Sequence, residues 1–219
     1  MLPFTTEQFF AVFAAYNDSI WPIQIIAYLL AVMVVALAWH SSGAVSRPLI
    51  LSLLALMWGW TGVAYFWLHF VRLTPIAWAF GALFVLQAAL LVYAAVARKP
   101  SGFHRPSGRS RAVAIALILY SMFLYPVIGL WTGHALRKLP MLGVTPCPVT
   151  IFTMGIMLLD ARVPRILLPI PVLWSLIGGT GGFLLGVPQD WVLFFSGPAA
   201  AALILGGASR ERRAVGIAS

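Results

Sequence analysis

Seven apolar runs, each bounded by charge or by proline and glycine, occupy most of this chain and constrain its fold more than any other feature. They cover approximately 19–40, 48–72, 74–97, 112–134, 142–160, 163–186 and 191–208. A helix needs roughly 20 apolar residues to cross the ~30 Å hydrocarbon core of a bilayer, and most of the runs meet that with some tilt. The 219 residues are 62% hydrophobic and only 9% charged. Soluble domains carry about 25% charged residues, so a water-exposed fold would lack the polar surface to cover itself. The expectation is an all-α integral membrane bundle of seven transmembrane helices, one domain over residues 1–219. No length remains for a soluble catalytic or nucleotide-binding module. The run 142–160 is the weakest, because Pro140, Pro146 and Pro148 crowd its start, where ring sterics and missing N–H groups disfavour a regular helix. A six-helix arrangement with that segment re-entrant is the rival.

Lysine and arginine placement separates the two. With seven spans, one side collects Arg47, Arg98, Lys99, Arg105, Arg109, Arg111, Arg162, Arg165, Arg210, Arg212 and Arg213, eleven of the 14 basic residues. The other side keeps Arg72, Arg137 and Lys138. Cytoplasmic loops hold the excess of Lys and Arg, so the amino terminus is expected outside and the carboxy terminus in the cytoplasm. The re-entrant arrangement divides the same residues eight against six, a poorer bias. The same asymmetry accounts for the net charge of +9 without a nucleic-acid partner. The loop around Arg98–Arg111 is placed to touch anionic lipid headgroups.

The first residues lack the basic stretch of a signal peptide. They read instead as a short interfacial helix over 5–16. Thr5 and Gln8 have capping-box spacing, and Phe4 and Phe9 occupy the staple positions. Phe9, Phe10, Phe13 and Tyr16 are then expected in the outer headgroup region. Asn17, Asp18 and Ser19 follow as cap residues for the first span, with Pro22 in its first turn.

Polar groups in a bilayer are costly and mark sites by default. In the second span Trp58, Gly62, Tyr65, His69 and Arg72 are spaced 4, 3, 4 and 3, one helical stripe. The fourth repeats the pattern with Tyr120, Phe123, Val127, Trp131 and His134, and in the fifth Cys147, Thr150, Met154 and Met157 share a stripe. If the three stripes face one another, His69, Arg72, His134 and Cys147 converge on an outward-facing polar pocket for a small solute or ion. Glu7, Asp18 and Asp190 supply carboxylates at the same level. Against this stands the ordinary interfacial belt of Trp, Tyr and His, with Arg72 snorkelling to headgroups. Cys147, Met154 and Met157 are soft donors of the kind that hold Cu(I), although methionine is common core filler. Bis-histidine haem ligation by His69 and His134 is geometrically conceivable but has no attachment motif behind it. Pro126, Pro169, Pro171 and Pro198 are expected to interrupt their spans, and broken helices line solute sites in transporters. Gly178, Gly182 and Gly186 make small-xxx-small steps, expected to seat a neighbouring helix or a second protomer.

Enzyme signatures are absent. There is no H-E-x-x-H zinc motif and no phosphate-binding loop. Phe194-Phe195-Ser196-Gly197 lacks the first glycine of the intramembrane serine-protease pattern. Lys99 and Lys138, the only lysines, lie in loops, where no retinal Schiff base forms. Asp160 and Asp190 fall at opposite membrane faces and so form no dyad.

The stretch LPFTTEQFFAVFAAYNDSIWP, joined far downstream by GVTPCPVTIFT, resembles an uncharacterised family of small bacterial integral-membrane proteins, a domain of unknown function. The resemblance covers essentially the whole chain and implies a multi-pass inner-membrane location. It carries no catalytic residue with it. The residues support two readings: binding or transport of a small solute or ion in the outer pocket, or a noncatalytic subunit or assembly factor of a membrane complex.

Overall fold

The computed structural model describes residues 3–40, 45–97, 108–160 and 162–217, and among these every regular element is helical. The basic residues Arg98, Lys99 and Arg105 lie outside the described residues. In chain order the helices are α1 (Thr6–Ile20), α2 (Ile23–His40), α3 (Ser46–Trp60), α4 (Ala77–Val96), α5 (Arg109–Leu119), α6 (Tyr125–Trp131), α7 (Pro146–Leu158), α8 (Pro169–Leu185) and α9 (Trp191–Ile217). Among the described residues, six stretches are long and apolar enough to cross a membrane: 23–40, 46–72, 77–96, 109–131, 165–185 and 188–207.

The run expected to span over 142–160 condenses into α7, only 13 residues long. That is about 20 Å of helix, short of the ~30 Å of a hydrocarbon core. Every residue of α7 is buried, as is the chain leading into it from Leu142. The helix packs against α3, α5, α8 and α9 and forms the axis of the bundle. It runs antiparallel to α3 along the whole of that helix. Cys147 at its start lines a cavity with Tyr65. Thr153 Oγ1 accepts from Trp58 Nε1 at 2.9 Å, and Asp160 just past its end pairs with Arg47 at 2.9 Å. Of the prolines that crowd its start, Pro146 and Pro148 fall in the first turn, where the missing N–H groups would be unpaired anyway, and Pro140 lies ahead of the helix.

One other proline expectation needs correcting for the same reason: Pro169 and Pro171 open α8 rather than interrupt it. Pro126 follows directly on a π turn within the continuous helical stretch 109–131, and Pro198 lies inside α9.

The capping box of Thr5 and Gln8 forms as the spacing predicts: Gln8 N–H donates to Thr5 Oγ1 at 3.2 Å and Thr5 N–H to Gln8 Oε1 at 2.9 Å. Phe4 stacks on Phe9 with centroids 6.2 Å apart. The helix, however, runs on to Ile20 and turns Phe10, Phe13, Tyr16 and Asn17 into the protein. Asn17 is therefore no cap. Its Nδ2 donates to the carbonyls of Arg137 and Leu139, each at 2.8 Å, which ties α1 to the loop after α6. Pro22 lies between α1 and α2, not in the first turn of a span.

Both long helices that carry the predicted stripes widen into π turns, at Thr61–Trp67 after α3 and at Tyr120–Leu124 between α5 and α6. Leu68 N–H, for example, bonds to Val63 O five residues back. A π turn shifts the register of everything beyond it relative to a 3.6-residue period. In the stripe of the fourth span Phe123, Val127 and Trp131 are consequently 58%, 55% and 89% exposed, while Ser121, Met122, Tyr125 and Gly129 turn inward.

Candidate functional site

The π turn after α3 has a second effect: it brings Tyr65 and Phe66 together into the bundle, both buried. Tyr65 stacks on Phe13 of α1 and on Phe70, with centroids 5.1 and 5.5 Å apart. Phe66 meets the edge of Trp174 on α8 at 5.2 Å. These rings wall a cavity of about 310 Å³, at the small end of ligand pockets. Phe4, Ile76, Ile177 and Leu185 contribute further apolar wall. Its polar groups are few. Among them, Cys147 opens α7 and Asp190 lies in the short helical turn that leads into α9.

Asp190 is 2% exposed. Tyr125 O–H donates to its Oδ1 at 2.6 Å, and Cys147 lines the same cavity. The buried Trp174 Nε1–H has no hydrogen-bond partner. Beside Asp190, Gln189 accepts at its main-chain carbonyl from Tyr120 O–H at 2.8 Å, while its own side-chain amide, fully buried, makes no hydrogen bond. Asp190 forms no ion pair with any described residue. A buried carboxyl group held by one phenol, with no cation opposite it among the described residues, is the most polar feature of this cavity.

The four residues expected to converge do not share this cavity. Only Cys147 lines it. His69 is held at the junction of α1 and α3: its Nδ1 bonds to the carbonyl of Ala64 at 2.8 Å, its Nε2 to Ser19 Oγ at 3.0 Å, and Tyr16 meets it edge-on at 5.0 Å. Tyr16 is itself clamped, donating to Val144 O at 2.8 Å and accepting from Trp60 Nε1 at 2.9 Å. Burial pushes its phenol above the ordinary range, against the pull of the Trp60 bond. His134 lies over Phe10 with centroids 4.0 Å apart and bonds to Thr132 at 3.0 Å. Arg72 ends a tight turn of three residues and is not drawn into the bundle. Its inward placement required α-helical spacing throughout, whereas the chain passes through a π turn and then a 3₁₀ turn before reaching it.

With both ring nitrogens of His69 engaged, the histidine pair does not fit haem. Among the described residues no three His, Cys, Asp or Glu side chains are grouped to hold a metal ion. Met154 and Met157 are buried along α7 and take no part in the cavity wall.

The glycine steps of α8 serve contacts within the chain. A Cβ on Gly182 would collide with Asp190 Cβ, and one on Gly179 would stand 2.6 Å from the Phe194 main chain of α9. Gly186 ends the helix at φ +65°, the left-handed cap for which glycine is favoured.

Sequence reasoning placed Asp190 among the carboxylates at the right level but not at the centre, and it missed Tyr125 and Trp174. The signal for Asp190 was present. It is an acidic residue flush against an apolar stretch, and such residues in spanning segments mark function by default.

No curated protein and no solved structure matches the chain. A family model described as a family of unknown function (DUF6064) does, over residues 6–214. Matched along almost its entire length, the chain belongs to that family.

Proposed function

We propose that the chain is a multi-pass protein of the bacterial inner membrane that binds, and on the transport reading carries, a small and largely apolar solute in the aromatic cavity above Asp190. The carrying observation is that cavity itself: about 310 Å³ of space walled by Tyr65, Phe66, Phe70 and Trp174, with a thiol and a buried carboxyl group at its base, the carboxyl held by Tyr125.

The membrane arrangement on this reading has seven passes. α7 is the seventh, too short for lipid but never exposed to it. Irregular backbone at membrane depth is tolerated where protein covers it, and the buried approach over 142–145 meets that condition. Its antiparallel course beside α3 supports a crossing rather than a re-entrant loop. Seven crossings put the chain ends on opposite sides. The Lys and Arg bias then favours a cytoplasmic carboxy terminus, which opens the cavity toward the outside. A carboxy-terminal green fluorescent protein is expected to fluoresce and an amino-terminal one to stay dark; fluorescence from both fusions would leave only an even number of crossings.

Cys147, the single cysteine, reports on the cavity without any engineering. Gly181 lines the cavity and an added Cβ there meets nothing within 4 Å, so Gly181→Trp is expected to take up part of the space. In lipid nanodiscs this variant is expected to react with N-ethylmaleimide at least about tenfold more slowly than the parent, and saturating neopentylbenzene to slow the parent likewise, by exclusion from a preformed apolar pocket. Unchanged rates under both treatments would sink the binding reading.

A further inference from the structure

We infer that the ligand carries a positive charge: a small amphiphile with a quaternary or protonated ammonium head on an apolar body, Asp190 serving as its counter-ion. This rests on the cavity being a binding site and adds the chemical class of what it takes.

The acid at the cavity floor has no cation beside it among the described residues. Asp190 is buried at 2% exposure, and a carboxylate taken out of water needs either a partner charge or several hydrogen bonds. One hydrogen bond reaches it, from Tyr125 O–H at 2.6 Å. The groups facing it from every packed element are uncharged: Tyr125 from α6, Cys147 from α7, Tyr120 from the π turn, Tyr65 from the turn after α3, and Gly182 from α8. No arginine, lysine or histidine among the described residues lines the cavity. The one buried ion pair described, Arg47 with Asp160, is at the far end of α7. An acid-only floor in an apolar bundle leaves the cationic half to be supplied from outside.

The walls select the same kind of ligand. Ring faces carry negative quadrupole potential and attract ammonium groups within about 6 Å, with the strongest examples on Trp and Tyr in desolvated sites. Tyr65, Phe66 and Trp174 enclose the volume next to Asp190. An anion would meet repulsion from both floor and walls, and a strongly hydrated metal ion would find too few oxygen ligands to replace its water. An apolar body suits the remaining wall of Phe70, Ile177 and Leu185, and a ligand of that shape partitions from the outer leaflet.

The experiment compares benzyltrimethylammonium with neopentylbenzene, its uncharged carbon isostere, as protectors of Cys147 against N-ethylmaleimide. The protein is in nanodiscs of uncharged lipid, and each rate is normalised to the same protein without ligand. The ammonium compound is expected to protect at concentrations about tenfold lower than the isostere, a cation–π and charge contribution of ordinary size. Asp190→Asn is expected to erase that preference and Asp190→Glu to keep it. Equal protection by the two compounds in the parent protein overturns the inference while leaving an apolar binding cavity in place. Protection by neither, together with an ineffective Gly181→Trp, removes the cavity reading as well. The comparison in the parent protein decides even where Asp190→Asn does not fold.

Discussion

Arg47→Ala is expected to be the most damaging single change at the charged end of the bundle, lowering stability by about 3–5 kcal/mol. Arg47 Nη2 is 2.9 Å from Asp160 Oδ2, with the two side chains 7% and 3% exposed. The same guanidinium donates to the carbonyl of Arg162, and Arg162 N–H returns a bond to Asp160 Oδ1 at 3.1 Å. This cluster fastens the first turn of α3 to the loop that leaves α7, so it holds the axial helix in place. Burying two charges brings little net gain over an apolar pair, but removing one partner leaves the other desolvated and uncompensated. Thermal unfolding in a single detergent measures the loss. Arg47→Met with Asp160→Asn should recover much of it, because the stranded charge is gone. Arg72→Ala, outside the buried core, should fall within the ±0.5 kcal/mol typical of surface changes. An Arg47→Ala protein as stable as the Arg72→Ala protein would show that the pair is solvated.

The contrast between those arginines marks how far a sequence reading reaches here. Apolar run length located six of the long helices within a few residues, because lipid-length helices are the pattern that composition encodes most directly. The Thr5 capping box was legible for a similar reason: it depends on four consecutive residues and nothing distant. Site residues were harder. The stripes through spans two and four assumed 3.6 residues per turn, and the π turns at Thr61–Trp67 and Tyr120–Leu124 rotate the residues beyond them. Tyr65 stayed inward while Arg72 did not, and Tyr125 took the interior place expected of Phe123 and Val127. No local propensity announces a π turn. It forms where tertiary packing rewards the displaced side chain, as the stack of Tyr65 between Phe13 and Phe70 does. For α7 the sequence reading saw a proline-hampered span. The structure turns that length deficit into an axial helix, which a chain can support only when other helices cover it on every side.

Gly182→Val, one residue from the permissive Gly181, is expected to cost about 1–3 kcal/mol as an overpacking change and to disable the cavity. A Cβ at position 182 would collide with Asp190 Cβ and approach Oδ2 to 3.4 Å. Asp190 cannot simply rotate away, because its carboxyl group is tied to Tyr125 at 2.6 Å and its main chain leads directly into α9. Either α8 and α9 separate, which exposes their glycine-lined contact, or the Asp190 carboxyl swings off Tyr125. Both routes loosen the floor, so Cys147 should react faster with N-ethylmaleimide, the opposite of the slowing expected for Gly181→Trp. Gly181→Ala, whose Cβ has nothing within 4 Å, should leave thiol reactivity where it was and, on helix propensity, hold or slightly raise the melting temperature. Two adjacent glycines with opposite outcomes separate close helix packing from mere helix propensity, since glycine-to-alanine exchange on propensity alone stabilises a helix by roughly 1 kcal/mol at either position. Should Gly182→Val melt and react like the parent protein, α8 and α9 are not in the tight contact on which the placement of Asp190 depends.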